Sequence, residues 1–168
     1  LAVFAGDVAT PAAQAATSPR AGPEALRGSI QSPPEGARVA RVFTVQGTVA
    51  GEPRHLWLAV RIGDLYWPKE PELVATNGKW TGEVREGGNP PNGRFEVVLL
   101  DVPQATSAAF AEWLRRGHLA RSYPGIPAAD VTGAKILDRR SYQLDGGHAN
   151  LPAGSPPSAD HERHPIAH

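Results

Sequence analysis

The sequence contains no cysteine, which excludes disulfides, thiolate nucleophiles and cysteine-ligated zinc together and leaves the redox compartment open. Methionine is missing too, so a chain that begins at Leu1 is expected to be a processed product or a piece of something longer. It also lacks net charge: Lys+Arg and Asp+Glu are 17 each. With no global field to gather polyanions, nucleic acid is not an expected partner. No apolar run approaches the roughly 20 residues that a membrane span needs. Walker loops, dinucleotide glycine patterns and calcium loops are absent as well, so no nucleotide, structured calcium ion or other cofactor is expected.

What is present divides into a middle and two ends. The length of 168 residues predicts one domain. Residues 1–27 and 146–168 are rich in Ala, Pro and Ser with few large apolar side chains, and read as disordered tails. The opening LAVFAG suits either the outer end of a membrane or signal segment whose beginning lies upstream, or an ordinary apolar tail. Residues 28–145 are the expected folded domain.

The densest apolar and aromatic stretch is RHLWLAVRIGDLYWP, from Arg54 to Pro68, which holds two of the four tryptophans. It reads as a central strand, with Leu56, Leu58, Val60 and Ile62 facing the core and Trp57, Ala59 and Arg61 on the other side. Before it, Ile30 starts an edge strand, Ser32-Pro33-Pro34-Glu35-Gly36 supplies a turn, and residues 39–49 alternate as a half-buried strand. After it, Asn77-Gly78 is a hairpin signal between Leu73–Thr76 and KWTGEVR. Phe95 to Val102 is a second buried strand, expected beside the first. QATSAAFAEWLRR, Gln104 to Arg116, is the one helix, with Thr106 or Ser107 as its cap, Phe110, Trp113 and Leu114 on its apolar face and Gly117 as its stop. KILDRRSYQL closes the domain as the last strand. The expected fold is mainly β: an antiparallel sandwich of about seven strands with one short helix before the last strand.

The order SPPEGARV, VQGTV, LWLAVRIGDLYWP, GKWTGEV, GRFEVVLLDVP, helix, YPGIP and KILDRRSYQL resembles a bacterial immunoglobulin-like accessory domain of unassigned biochemical role, over about Ser29 to Leu144. The resemblance implies an immunoglobulin-like sandwich in a membrane-associated or multidomain protein, placed outside the cytoplasm, whose partner is another protein or domain. The two cysteines of immunoglobulin domains proper are missing here, so stability must come from the core and the helix.

Reactive constellations are sparse. His161, His164 and His168 have metal-ligand spacing, but Pro165 interrupts any helix that would align them and no metal site is assigned. No serine sits in a nucleophile elbow and no carboxylates are visibly paired, so the expected function is non-catalytic: protein interaction or ligand sensing. The candidate binding residues are Tyr66, Trp67 and Lys69 at the end of the central strand, and Tyr123 and Ile126 in the stiff YPGIP loop. The alternatives are a glycan-binding module using Tyr66 and Trp67 as exposed rings, and a small hydrolase with a Ser or acid beside a His. An unpaired first or last strand offers a route to a homodimer by strand addition.

Overall fold

The computed structural model describes residues 25–145, so both expected tails, apart from residues 25–27, lie outside the described residues. Among the described residues the elements are β1 (Arg27–Ser32), β2 (Arg38–Val39), β3 (Val42–Ala50), β4 (Leu56–Ile62), β5 (Leu65–Leu73), β6 (Lys79–Arg85), β7 (Arg94–Asp101), α1 (Gln104–Ala120), β8 (Ile126–Pro127) and β9 (Lys135–Leu144). The protein is mainly β. One sheet has the order β1-β3-β6 and the other β2-β9-β7-β4-β5-β8. The pairing is not antiparallel throughout, because β2 runs parallel to β9. After the turn at Pro34–Ala37 the chain crosses to the larger sheet and travels alongside β9. There Gly36 N–H donates to the Ser141 carbonyl (2.8 Å), Gln143 N–H to Ala37 (3.1 Å) and Asp145 N–H to Val39 (2.8 Å).

The larger sheet is built around β4 and β7, paired from Leu56↔Asp101 to Arg61↔Glu96. Residues 56–60 are all at most 3% exposed, so β4 is buried on both faces. Leu56, Leu58 and Val60 join Val97, Leu99, Ile30, Val45 and Val84 in the core shared by the two sheets. Trp57 and Ala59 face the other way, into a second core with Val98, Leu100, Phe110 and Leu114. The aliphatic face does point into the inter-sheet core, and the tryptophan face is roofed by α1. The Trp57 and Phe110 rings meet edge to face at 5.5 Å and 82°, a geometry worth about 0.5–1.5 kcal/mol beyond the area it buries.

Three local expectations need correction. The Arg54–Pro68 run is not one strand: it folds back at Gly63, whose φ of 59° is open to a residue without a Cβ, and Ile62 pairs with Leu65 across the hairpin. Its second half is therefore β5, which continues through Pro68 and Pro71 to Leu73, where a separate strand was expected. The prolines are tolerated because β5 pairs with β8 only at Leu65 and Tyr66, so its later residues lie on an edge that does not need every N–H. The helix runs on to Ala120 and stops at Arg121 (φ 53°, ψ 34°), with Pro103 at its start and no side-chain cap. Thr106 instead donates to the Thr132 carbonyl (2.6 Å) and Ser107 to Glu72 (3.0 Å), which draws both hydroxyls away from the helix end.

The Asn77-Gly78 turn forms, but not as the expected hairpin between paired strands, because β5 ends at Leu73 and β6 belongs to the other sheet. Both residues have positive φ (51° and 71°), Thr76 bridges to Lys79, and the chain passes from the larger sheet to the smaller. On β6, Trp80 and Val84 are buried while Lys79, Thr81, Glu83 and Arg85 face solvent.

A candidate binding groove at the edge of the larger sheet

Successive residues of β5 point to opposite faces, and this separates the sequence-predicted pair. Tyr66 is 6% exposed in the helix-side core, with the Arg61 guanidinium 5.7 Å over its ring. It is not a solvent-facing ring. Trp67 points the other way, half-buried against the rim of the inter-sheet core, and Lys69 follows on the same face. Ile126 pairs with Tyr66 across β5 and β8 and packs against the helix-side core, so it too is structural. Trp67, Lys69 and Tyr123 remain together. With Trp113 of α1 and the loop at Glu86–Pro91 they line a groove of about 900 Å³.

The aromatic wall is held rigidly. The Trp67 indole N–H donates to the Tyr123 carbonyl (2.9 Å), and the Trp113 indole donates to the neighbouring Pro124 carbonyl (3.0 Å). The Trp113 and Tyr123 rings lie 5.4 Å apart. Two glycines make the seats. A Cβ on Gly117 would fall 2.2 Å from the Tyr123 ring, and one on Gly125 would fall 2.7 Å from Trp67. Glycine inside a helix costs about 1 kcal/mol relative to alanine, and at Gly117 that cost accompanies the close approach of Tyr123. The Tyr123 hydroxyl meets His118 Nδ1 at 2.9 Å, and His118 Nε2 meets Glu70 at 2.8 Å, which links the helix end to β5.

The floor is polar. The Lys69 ammonium donates to the Arg85 carbonyl (2.9 Å) and lies 3.8 Å from Glu86 Oε2, with side-chain exposures of 15% and 8%. Burial lowers the Lys69 pKa and the nearby Glu86 carboxylate partly offsets that. Glu86 Oε1 accepts the Gly88 N–H at 2.8 Å, and Arg41 fixes the loop by donating to the Gly88 carbonyl (2.7 Å) and Asn89 (3.0 Å).

The residues missed in the sequence are Glu86, Trp113 and His118. Trp113 is readable only as part of the helix stripe, and Glu86 belongs to a loop whose shape depends on Arg41, 45 residues away. Gly117, four residues after Trp113, reads in the sequence as a helix stop, and only its place inside the helix shows that Tyr123 packs tightly there.

A second polar cluster lies under α1. Trp57 Nε1 donates to Ser107 Oγ (3.0 Å), Ser107 donates to Glu72 Oε2 (3.0 Å), and His55 Nδ1 meets Glu72 Oε1 at 2.7 Å. Here the carboxylate stands between the serine and the histidine, whereas a nucleophilic triad places the histidine in the middle. Ser107 is also 4% exposed.

No protein-family model matches the sequence, and no curated protein matches it. Among solved structures, a crystal structure of an engineered protein superposes with a TM-score of 0.42 at 18% identity, over 74% of this chain and 21% of that one. The chain thus corresponds to about a fifth of that structure's length.

Proposed function

We propose that this chain is a non-catalytic, immunoglobulin-like binding module, carried by a larger bacterial membrane-associated or multidomain protein outside the cytoplasm, and that its binding surface is the Trp67–Trp113–Tyr123 groove. Two sheets sharing one core, with a helix ahead of the short β8 and the closing β9, support the immunoglobulin-like reading. The observation that carries the binding reading is the locked aromatic wall: both indole donors are committed to the backbone carbonyls of Tyr123 and Pro124, so the rings have fixed orientations along the groove before any ligand arrives. Preorganised aromatic surface of this kind contributes contact area at little entropic cost.

The test is heteronuclear NMR of this chain with panels of soluble peptides and oligosaccharides. Shifts that cluster on Trp67, Lys69, Trp113 and Tyr123 support the reading, and saturable binding that maps elsewhere overturns it.

A hydrolytic reading draws on one specific feature, the Tyr123–His118–Glu70 series, which has the order hydroxyl, imidazole, carboxylate. It is the weaker of the two, because the hydroxyl is a phenol and the His118 and Glu70 side chains are 56% and 52% exposed, in bulk water rather than a desolvated site. Turnover of chromogenic esters or glycosides that is lost in His118→Ala would make it the better reading.

A further inference from the structure

We propose that the ligand of this groove is a neutral saccharide, with the faces of Trp67 and Tyr123 taking the C–H side of a sugar ring and Lys69 and Glu86 taking a pair of adjacent hydroxyls. The inference rests on the binding reading above and narrows it to one chemical class.

Three observations select that class. The first is an open donor beside an open acceptor. An ammonium has three N–H donors, and Lys69 uses one of them on Arg85. Glu86 Oε2 accepts no hydrogen bond among the described residues, its nearest cation being the Lys69 Nζ at 3.8 Å. That gap is too long for a hydrogen bond, so the ammonium keeps spare donors beside a carboxylate oxygen that is not sealed from solvent. Adjacent hydroxyls satisfy such a pair: one accepts from the ammonium while the other donates to the carboxylate. The two charges cancel, as do those of the Arg85–Glu83 pair that also lines the groove, and the further carboxylate of Glu70 stands beside His118, so the arrangement favours a neutral ligand over an anionic one.

The second observation concerns the aromatic donors. Recognition of a proline-rich peptide uses an aromatic-lined groove and hydrogen bonds to the peptide carbonyls. Here the Trp67 and Trp113 N–H groups already serve Tyr123 and Pro124, and the Tyr123 hydroxyl already meets His118. What the wall offers is ring surface, which suits stacking.

The third concerns the strand edge. A peptide added alongside β5 would need a regular ladder of N–H groups, and Pro68, two residues beyond the Tyr66 that pairs with β8, removes one from that edge just before the register shift that follows Lys69. The groove is therefore poorly made for an extended main chain, whereas a saccharide needs no ladder.

The experiment titrates the intact chain with three neutral hexasaccharides, of glucose, mannose and N-acetylglucosamine, and in parallel with decaproline and a mixed-sequence peptide. Binding is followed by tryptophan fluorescence and NMR. The expected result is saturable binding of at least one saccharide, with shifts on Trp67, Lys69 and Tyr123, and an affinity that changes less than twofold between 50 mM and 500 mM salt. Trp67→Ala, Lys69→Met and Glu86→Gln are each expected to weaken it at least tenfold, and the distant Thr81→Ala is expected to leave it unchanged. Near-ultraviolet circular dichroism checks that each variant is folded, and Trp67→Phe supplies a milder variant with an intermediate loss. If the peptides shift the groove residues and the saccharides do not, the saccharide assignment is overturned and the groove reading survives. If saccharides bind but the shifts map away from the groove, or the binding is unaffected by the three variants, both are overturned. No binding from any of the three saccharides overturns the saccharide assignment.

Discussion

Trp57 and Trp67 stand on the paired strands β4 and β5, each with its indole N–H donating to an internal acceptor, yet one ring is sealed and the other borders a groove. Over Trp57 lie Phe110 and Ser107 from the first half of α1. Over Trp67 lies the chain that follows the helix, held there by Tyr123 seated on Gly117. The same helix therefore roofs one tryptophan and, two to three turns later, leaves the second at an edge. Sealing requires large apolar side chains on the buried face of the helix, and the groove arises where that face carries a glycine and a half-exposed tryptophan instead.

The sharpest way to break the contrast is to remove the roof. Phe110→Ala deletes a ring that is 1% exposed and is expected to cost about 3–5 kcal/mol in chemical denaturation, the range for a buried aromatic replaced by alanine. Hydrogen exchange of α1 should then become faster while β4 and β7 remain protected, because the inter-sheet core does not include Phe110. Equal loss of protection in α1 and in β4 and β7 would show that the two cores are a single cooperative unit.

Next in size is Ser107→Ala, with an expected loss of about 1–3 kcal/mol, since the substitution takes the acceptor from buried Trp57 Nε1 and a donor from Glu72 together. Urea titration measures it. A value below about 0.5 kcal/mol would mean that the network under α1 relaxes around the missing hydroxyl. Trp113→Ala comes third, at about 1–2 kcal/mol, because it removes one hydrogen bond and a ring that is only half-buried. Should it cost as much as Phe110→Ala, the groove wall is core in all but position, and the difference drawn between the two tryptophans disappears.

Much of the fold was legible because its signals are local. LWLAV and FEVVLL announce buried strands by being apolar on both faces, and the Asn77-Gly78 turn is dictated by the φ values those two residues tolerate. The hairpin at Gly63 was less visible because the apolar run continues through it. The site was legible only in part. Tyr66 and Trp67 are adjacent in sequence, so composition groups them, and only the pleat of a correctly placed β5 shows that they face apart. Glu86 and His118 could not be read at all: each takes its place from partners on other elements, Arg41 and Lys69 for the one, Glu70 and Tyr123 for the other. Long-range pairings of that kind leave no periodicity in a single sequence.

The smallest effect sharpens the comparison through two tyrosines. Tyr123 is 39% exposed and meets His118, whereas Tyr142 is 2% exposed, packs at 5.6 Å against Phe43 and donates to the Pro33 carbonyl at 2.8 Å. Burial, helped by Glu35 and Asp138 and opposed by Arg140, pushes the Tyr142 phenol up from 10.0 to about 12. The unfolded chain therefore loses this proton first. Between pH 10 and 12 the unfolded state binds fewer protons than the folded one, so the contribution of Tyr142 to stability is whole below pH 10 and falls as the pH rises towards 12. Tyr142→Phe should cost about 1 kcal/mol at pH 7 through the lost hydrogen bond and should lack that alkaline decline. The denaturation curves of the parent and the variant are then expected to converge above pH 10, and a constant difference from pH 7 to 11 would show that the phenol has the same affinity for its proton in both states.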